Sequence, residues 1–531
     1  MGSILLGAMW LVPIVVGVLI GMLSPSRATA RAVAIAVAAC LVPAAFVVFI
    51  SSAPDILTAS SMRAFAVGAL AVDGLSAVLV PLVACLALGL LVALPRTDLD
   101  ASSTRSLLVV LGSTFGVLVS ANVLLLGAFW TLSLLPLATE AQREHDPALA
   151  RATRWAAVLC IAPMLGALAL IVTTATTGRF AAPFDVGAIA EAGVARPRAR
   201  VIAPLILLAC TARMGIFPFH SWVPVALGRG RLAVMIPSVV SPLGSFALVR
   251  LGVGLFPVEI HRWCDVLATL ATISALYGAF LGVGQTHARR QLGFLWTSTA
   301  GFVLAGVATL DAGGLSGALI HDLALTVAMT GLALLVRAVE ARTGTADFRR
   351  LGGLVVHAPR MATGYFLLGL AAIGFPATVA FVSEDLVIQG LARTRPAVAV
   401  LLLISIAVNG LTLVRSFKRI FLGPPSPLRG ENRRIPDLLL RERWVGIALV
   451  VALLAGGLVP APLIAIRRQL EDEPALAQSV NGSSRSDFGS RSARTASQRT
   501  SDPSASSRHA PSVSGSEATI TTRAPASSSS K

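Results

Sequence analysis

Lysine is almost missing from this chain: among 531 residues only Lys418 and Lys531 carry it. Charge of any kind is sparse, at 13% of residues, against about 25% in soluble domains. Tyrosine occurs twice. Five cysteines, Cys40, Cys85, Cys160, Cys210 and Cys264, are scattered through apolar sequence. Their spacing matches neither a disulfide framework nor a metal site, so they read as small buried hydrophobes and no metal centre is expected. Nucleotide-binding glycine loops, zinc spacings, haem motifs and nucleophile elbows are also lacking. The chain is therefore expected to perform no bond-making chemistry by itself and to need no cofactor. Net charge is +17, but basic patches interleaved with aromatics are absent. A nucleic-acid partner is not expected, and the arginines in loops read as membrane topology instead.

Apolar length is what the chain has in excess. Hydrophobic residues make up 55% and mean hydropathy is +0.80, more than a single soluble core can bury. Apolar stretches long enough to cross a bilayer as helices recur near 4–22, 31–51, 75–95, 106–120, 121–138, 154–173, 201–226, 232–255, 263–286, 292–310, 313–336, 362–392, 397–417 and 444–465. The ten-residue alternation of a β-barrel is not found. The expectation is an all-α integral membrane protein with about fourteen transmembrane helices over 1–465. The first span has no charged n-region and reads as a retained helix rather than a signal peptide. Residues 466–531, rich in Ser, Arg, Ala and Thr, read as a disordered solvated tail. Loops after odd-numbered spans hold roughly 23 Lys and Arg and those after even-numbered spans about 8. The odd loops are expected on the cytoplasmic side of the cell membrane, with both termini outside.

Two spans are interrupted by proline. Pro218 lies in Phe217-Pro218-Phe219-His220 and Pro376 in Gly374-Phe375-Pro376-Ala377. Proline removes a helix donor, and in lipid the freed carbonyls must find other partners. Broken helices at corresponding places of two halves point to an ion path. Ionisable groups at membrane depth are costly enough to be functional candidates. They are Arg213 and His220 near the first break, His321 and Asp322 within a later span, and Glu384 and Asp385 after the second break. Arg213 and His220, seven apart, are expected roughly on one helical face. His220, His321 and Glu384 suit a proton path; Arg213, which stays protonated, suits only a biasing role. Asp73, in Val72-Asp73-Gly74-Leu75-Ser76, reads as a helix cap.

Several ordered motifs resemble one family. Arg213-Met-Gly-Ile-Phe-Pro218-Phe-His220-Ser-Trp222-Val-Pro224 looks like the broken seventh helix of the proton-translocating antiporter-like subunits of complex I and the Mrp antiporters. Gln285 to Leu292, Val72 to Ser76, Gly374 to Leu386 and Asn409 to Gly423 resemble further segments of that family. The resemblance covers about residues 65–465. It implies two inverted repeats, each with a proline-broken helix, and a polar axis that carries protons between them. The carry-over is partial. Thr131 stands at the usual Glu, Arg213 at the seventh-helix Lys, Pro242 near the eighth-helix Lys and Leu325 at the Lys following His321, while Glu384 keeps the twelfth-helix position. The lost lysines make the chain look more like divergent stand-alone relatives, such as the membrane subunit of the two-component inorganic-carbon uptake system. That resemblance implies a zinc-containing soluble partner. The other readings are a subunit among redox-complex subunits and a non-conducting membrane anchor for a soluble enzyme.

Overall fold

Alanine, leucine and valine dominate the chain, and long helices satisfy all their backbone groups within one segment, as a lipid environment demands. The computed structural model describes residues 2–58, 65–67, 69–424 and 435–459. The tail expected over 466–531 and its boundary at 465 lie outside the described residues.

The chain opens with α1 (Gly2–Leu23) and α2 (Arg27–Thr58), then a small antiparallel hairpin, β1 (Phe65–Val67) and β2 (Leu70–Val72). There follow α3 (Gly74–Ala93), α4 (Ala101–Val119), α5 (Val123–Arg143), α6 (Pro147–Thr177) and the short α7 (Val186–Ala192). Next come α8 (Arg196–Met214), α9 (Trp222–Arg229), α10 (Leu232–Val239) and α11 (Leu243–Ala247), which runs into a π-helical turn at Leu248–Val253. The rest is α12 (Pro257–Gly284), α13 (Ala288–Val307), α14 (Ala312–Thr343), α15 (Pro359–Ala372), α16 (Val379–Thr394), α17 (Pro396–Phe421) and α18 (Leu440–Leu458).

Short polar side chains start many of these helices. Asp73, Asp100, Asn122, Asp146, Asp185 and Asp311 each accept a hydrogen bond from a first-turn backbone N–H. Proline occupies the first turn of α6, α8, α12, α15 and α17, where its missing N–H costs nothing. The narrow gap expected between the fourth and fifth spans is real: Ser120, Ala121 and Asn122 alone separate α4 from α5.

Eleven segments among the described residues are long and apolar enough to cross a membrane. The remaining three of the expected fourteen correspond to α13, the α15–α16 pair and α18. Their sequences explain the shortfall. α13 opens on Arg289 and Arg290, α18 opens on Arg441, Glu442 and Arg443, and the two halves of the broken helix have 14 and 16 residues. The eighth span differs from its expectation. It is three pieces, α10, α11 and the π-turn, because Pro237 and Pro242 interrupt it.

Connections alternate between two faces. On one, Arg231 after α9 pairs with Asp100 before α4 at 2.6 Å and with Glu144 after α5 at 2.5 Å. On that same face Arg337 of α14 binds Asp98 through two hydrogen bonds of 2.6 and 2.7 Å, and Glu340 joins Arg337 to Arg289. On the other, Arg395 before α17 pairs with Asp265 near the start of α12 at 2.8 Å. Counting each interrupted helix once, α4 to the π-turn and α12 to α17 make five passes each. An odd number of passes starts the second set on the opposite face, which inverts it. The broken helix is the fourth pass in both. Within the second set, α12 and α13 approach closely, Gly278 lying on the α13 backbone at Ser298 and Gly301 on the α12 backbone at Ala271.

Candidate functional site: a polar line across the bundle

The first break ends α8 at Met214, and Gly215 turns the chain with φ 76°. Indoles bond to carbonyls at this turn. Trp222 Nε1 donates to Ala212 at 3.1 Å, and Trp296 Nε1 of α13 donates to Met214 at 3.0 Å. The Phe217 N–H donates to Ser274 Oγ of α12 at 2.6 Å. Each buried bond of this kind contributes about 1 kcal/mol, and leaving its partner unmet costs more.

Arg213 and His220 stand on opposite sides of that break, so the single helical face expected for them does not exist. Arg213 is buried in the last turn of α8, its guanidinium 4.9 Å from the Trp130 ring of α5. None of its three nitrogens has a hydrogen-bond partner, and no carboxylate among the described residues pairs with it. Trp130 is held in turn by its Nε1 bond to the Cys160 carbonyl of α6 at 2.9 Å. Thr131 donates its hydroxyl to Gly127 within its own helix. His220 is stacked on Phe217 and meets the ring of Tyr277 edge-on, with centroids 4.7 Å apart.

Beyond Arg213, α11 packs against α8, Gly244 lying on the backbone of Cys210 and Met214. The next residue, Ser245, bonds to Asp322 of α14 and also to the Pro242 carbonyl. One hydroxyl proton serves two acceptors there. When Asp322 is ionised, Ser245 gives its proton to the carboxylate. When Asp322 is neutral, the acid donates to Ser245, which is then free to donate to Pro242.

His321, the neighbour of Asp322, faces the other way. Its Nδ1 lies 3.1 Å from Ser383 Oγ of α16. Ser383 directs its own proton to the Ala380 carbonyl at 2.7 Å. His321 therefore carries its hydrogen on Nδ1, leaving Nε2 as a buried acceptor without a partner. A small cavity follows, lined by His321, Glu384, Ser298, Thr299, Ser405 and Asn409 among others. Asn409 donates to Ser298 Oγ at 2.8 Å. Glu384, buried on α16, lies against Gly374 in the second break, where a side chain would collide with the carboxylate.

His321, Asp322 and Glu384 are thus brought onto one line. Asp385 is not. It is exposed on the opposite side of α16, bonded to Gln389 at 2.7 Å. Pro218 and Pro376 both fall within the breaks, and Asp73 caps α3 through the Ser76 N–H. Asp73 also pairs at 3.5 Å with Arg250, a buried arginine of the π-turn that donates to the Leu118 carbonyl. Arg250 is not among the candidates named from the sequence, although an arginine inside span 232–255 is a visible signal. Ser245, Ser298 and Ser383 gave no signal, since serine is tolerated in any membrane helix.

A family model for the transmembrane part of NADH:quinone oxidoreductases and Mrp antiporters matches residues 120–409. This chain belongs to that family. An NAD(P)H-quinone oxidoreductase chain 4 from Synechococcus sp. (strain JA-3-3Ab) is 26% identical over 73% of this chain and 74% of its own length. NADH-quinone oxidoreductase subunit M of Mycobacterium tuberculosis (strain ATCC 25618 / H37Rv) is 28% identical over 49% of this chain and 47% of its own. Among solved structures, a chain of respiratory complex I from Thermus thermophilus shares the fold, with a TM-score of 0.77, 22% identity and coverage of 89% of this chain and 99% of its own. A chain of the Mrp complex from Dietzia sp. DQ12-45-1b matches with a TM-score of 0.74 and 20% identity, over 89% of this chain and 96% of its own. The membership agrees with the motifs and with two inverted sets of passes.

Proposed function

We propose that this antiporter-like membrane subunit conducts protons, or sodium, and couples the gradient to a partner protein. The observation that carries the reading is the pair of side-chain bonds Ser245–Asp322 and His321–Ser383, which join α11, α14 and α16, with Glu384 on the wall of the cavity it shares with His321. His321 Nε2 accepts a proton that Glu384 or a solvent molecule in the shared cavity supplies. Asp322 and Ser245 then pass the change in charge toward α8. Arg213 acts there as a fixed positive charge, and His220 flanks the first break. The face that gathers Arg231, Arg337 and Arg289 is the cytoplasmic one on this reading, because it holds most of the basic residues.

A partner protein is part of the proposal. The exposed stripe Phe381, Asp385 and Gln389 on α16 sets polar groups on the outside of a membrane helix, an arrangement that suits a neighbouring polar helix rather than lipid. Similarity to quinone oxidoreductase chains supports redox-complex subunits as partners. Loss of the family lysines supports the narrower alternative, inorganic-carbon uptake beside a zinc-containing soluble protein. Thr131 and Leu325 favour a third, the non-conducting anchor. Purified with its partner and reconstituted in liposomes holding a pH-sensitive dye, the protein is expected to dissipate an imposed pH gradient. Glu384→Gln is expected to abolish that flux while leaving assembly intact. Equal flux in wild type and Glu384→Gln would overturn the route, and no flux in either would favour the anchor.

A further inference from the structure

A cleft between α2, α3 and α18 lies outside the polar line. It encloses about 580 Å3 and is lined by Arg27, Arg31, Arg96 and Arg441, with Ala28, Ala32, Ile35, Val92 and Thr97. Four of its lining residues are arginines. The charges of Arg96 and Arg441 both bear on Arg31. Arg31 spends two of its donors on the Leu91 and Val92 carbonyls, at 3.2 and 2.7 Å, and Arg441 spends one on Leu94.

The two carboxylates nearest in sequence are already engaged. Asp98 takes both hydrogen bonds from Arg337, and Glu442 pairs with Arg342 at 2.5 Å. Among the described residues none of the four arginines has an ion-pair partner. Like charges gathered without a counter-ion repel one another, and repulsion of this kind is relieved by an anion with several oxygens that suit guanidinium forks. The cleft holds far more than a few waters of about 30 Å3 each.

The geometry points to a binding site for the phosphate of an anionic phospholipid, its oxygens among Arg27, Arg31, Arg96 and Arg441. The source is a lipid and not free phosphate because the wall continues along α2 as Ala28, Ala32 and Ile35, an apolar track leading into the membrane from the loop end of the helix. The site lies on the arginine-rich face, where Arg441 reaches the end of α3.

The test uses the full chain in detergent, with phosphatidylglycerol, phosphatidylcholine and inorganic phosphate as probes, read by native mass spectrometry and thermal melting. Arg27→Gln/Arg96→Gln is the main variant, since both side chains are exposed and neither bonds to another of the described residues. Arg360→Gln, at an exposed arginine of the same face outside the cleft, is the control. Wild type and control are expected to retain one phosphatidylglycerol several-fold over phosphatidylcholine and to melt higher with it, and the double variant to lose both effects. Inorganic phosphate that reproduces the full shift would overturn the lipid assignment. Equal retention of both lipids, or equal loss in Arg360→Gln, would overturn the site.

Discussion

Arg213 is the residue whose environment departs furthest from ordinary practice. A buried cation without a carboxylate keeps its desolvation cost and recovers only a ring contact with Trp130. Arg213→Met should therefore leave thermal stability in detergent unchanged or raise it, by up to a few kcal/mol. A clear fall in melting temperature would show that the guanidinium is paired after all. The candidate site was partly legible at this scale. His321, Asp322 and Glu384 were visible because a charge within an apolar run has few bland explanations. Which way each pointed was not visible, and Asp385 shows why: one helix step carries a side chain from the buried cavity wall to the outside of α16. Ser245 and Ser383 were invisible because their importance lies in whom they touch.

Among the elements, the broken helices were read correctly from proline, but the sequence did not say how the breaks are sustained. Trp296 lies on α13, far along the chain from Met214, and only the fold brings its N–H to that carbonyl. Trp296→Phe should cost about 1–3 kcal/mol by leaving a buried carbonyl unmet. Trp263→Phe, at a partly exposed tryptophan of α12, should change stability by less than about 0.5 kcal/mol. Melting curves of the two variants make the comparison, and equal losses would show that the indole bond contributes nothing. The division of the eighth span escaped notice for a related reason. Pro237 and Pro242 sit in otherwise strong apolar sequence, and a length-and-hydropathy reading runs straight through them.

Across the whole molecule, the arginine face ties the ends of many passes together. Burial alone would raise the Asp100 carboxyl, but the Ser103 N–H and the Arg231 guanidinium outweigh it and hold the group below its usual range. A lowered folded value favours the folded state above the unfolded value of about 3.9 and withdraws that support as pH falls through the folded value. The melting temperature of the wild type should thus drop below about pH 4, and Arg231→Gln should flatten that drop while lowering stability at neutral pH. Melting curves across that range decide it; an unaltered slope in Arg231→Gln would show that Arg231 does not hold the Asp100 carboxyl down. The topology at this scale was largely legible, since alternating apolar spans and arginine-rich loops are imposed by the bilayer itself. The three spans with charged or broken ends blurred the count.

α14 joins these scales. It carries His321 and Asp322 side by side, and consecutive residues on a helix point about 100° apart, so one addresses α16 while the other addresses α11. Its far end is pinned by Arg337 to Asp98 and by Glu340 to Arg289. A rod fixed in this way cannot turn to offer one group without withdrawing the other. On the proposed path, communication between the two halves then runs on the clock of hydroxyl and carboxyl rotation, with the scaffold standing still.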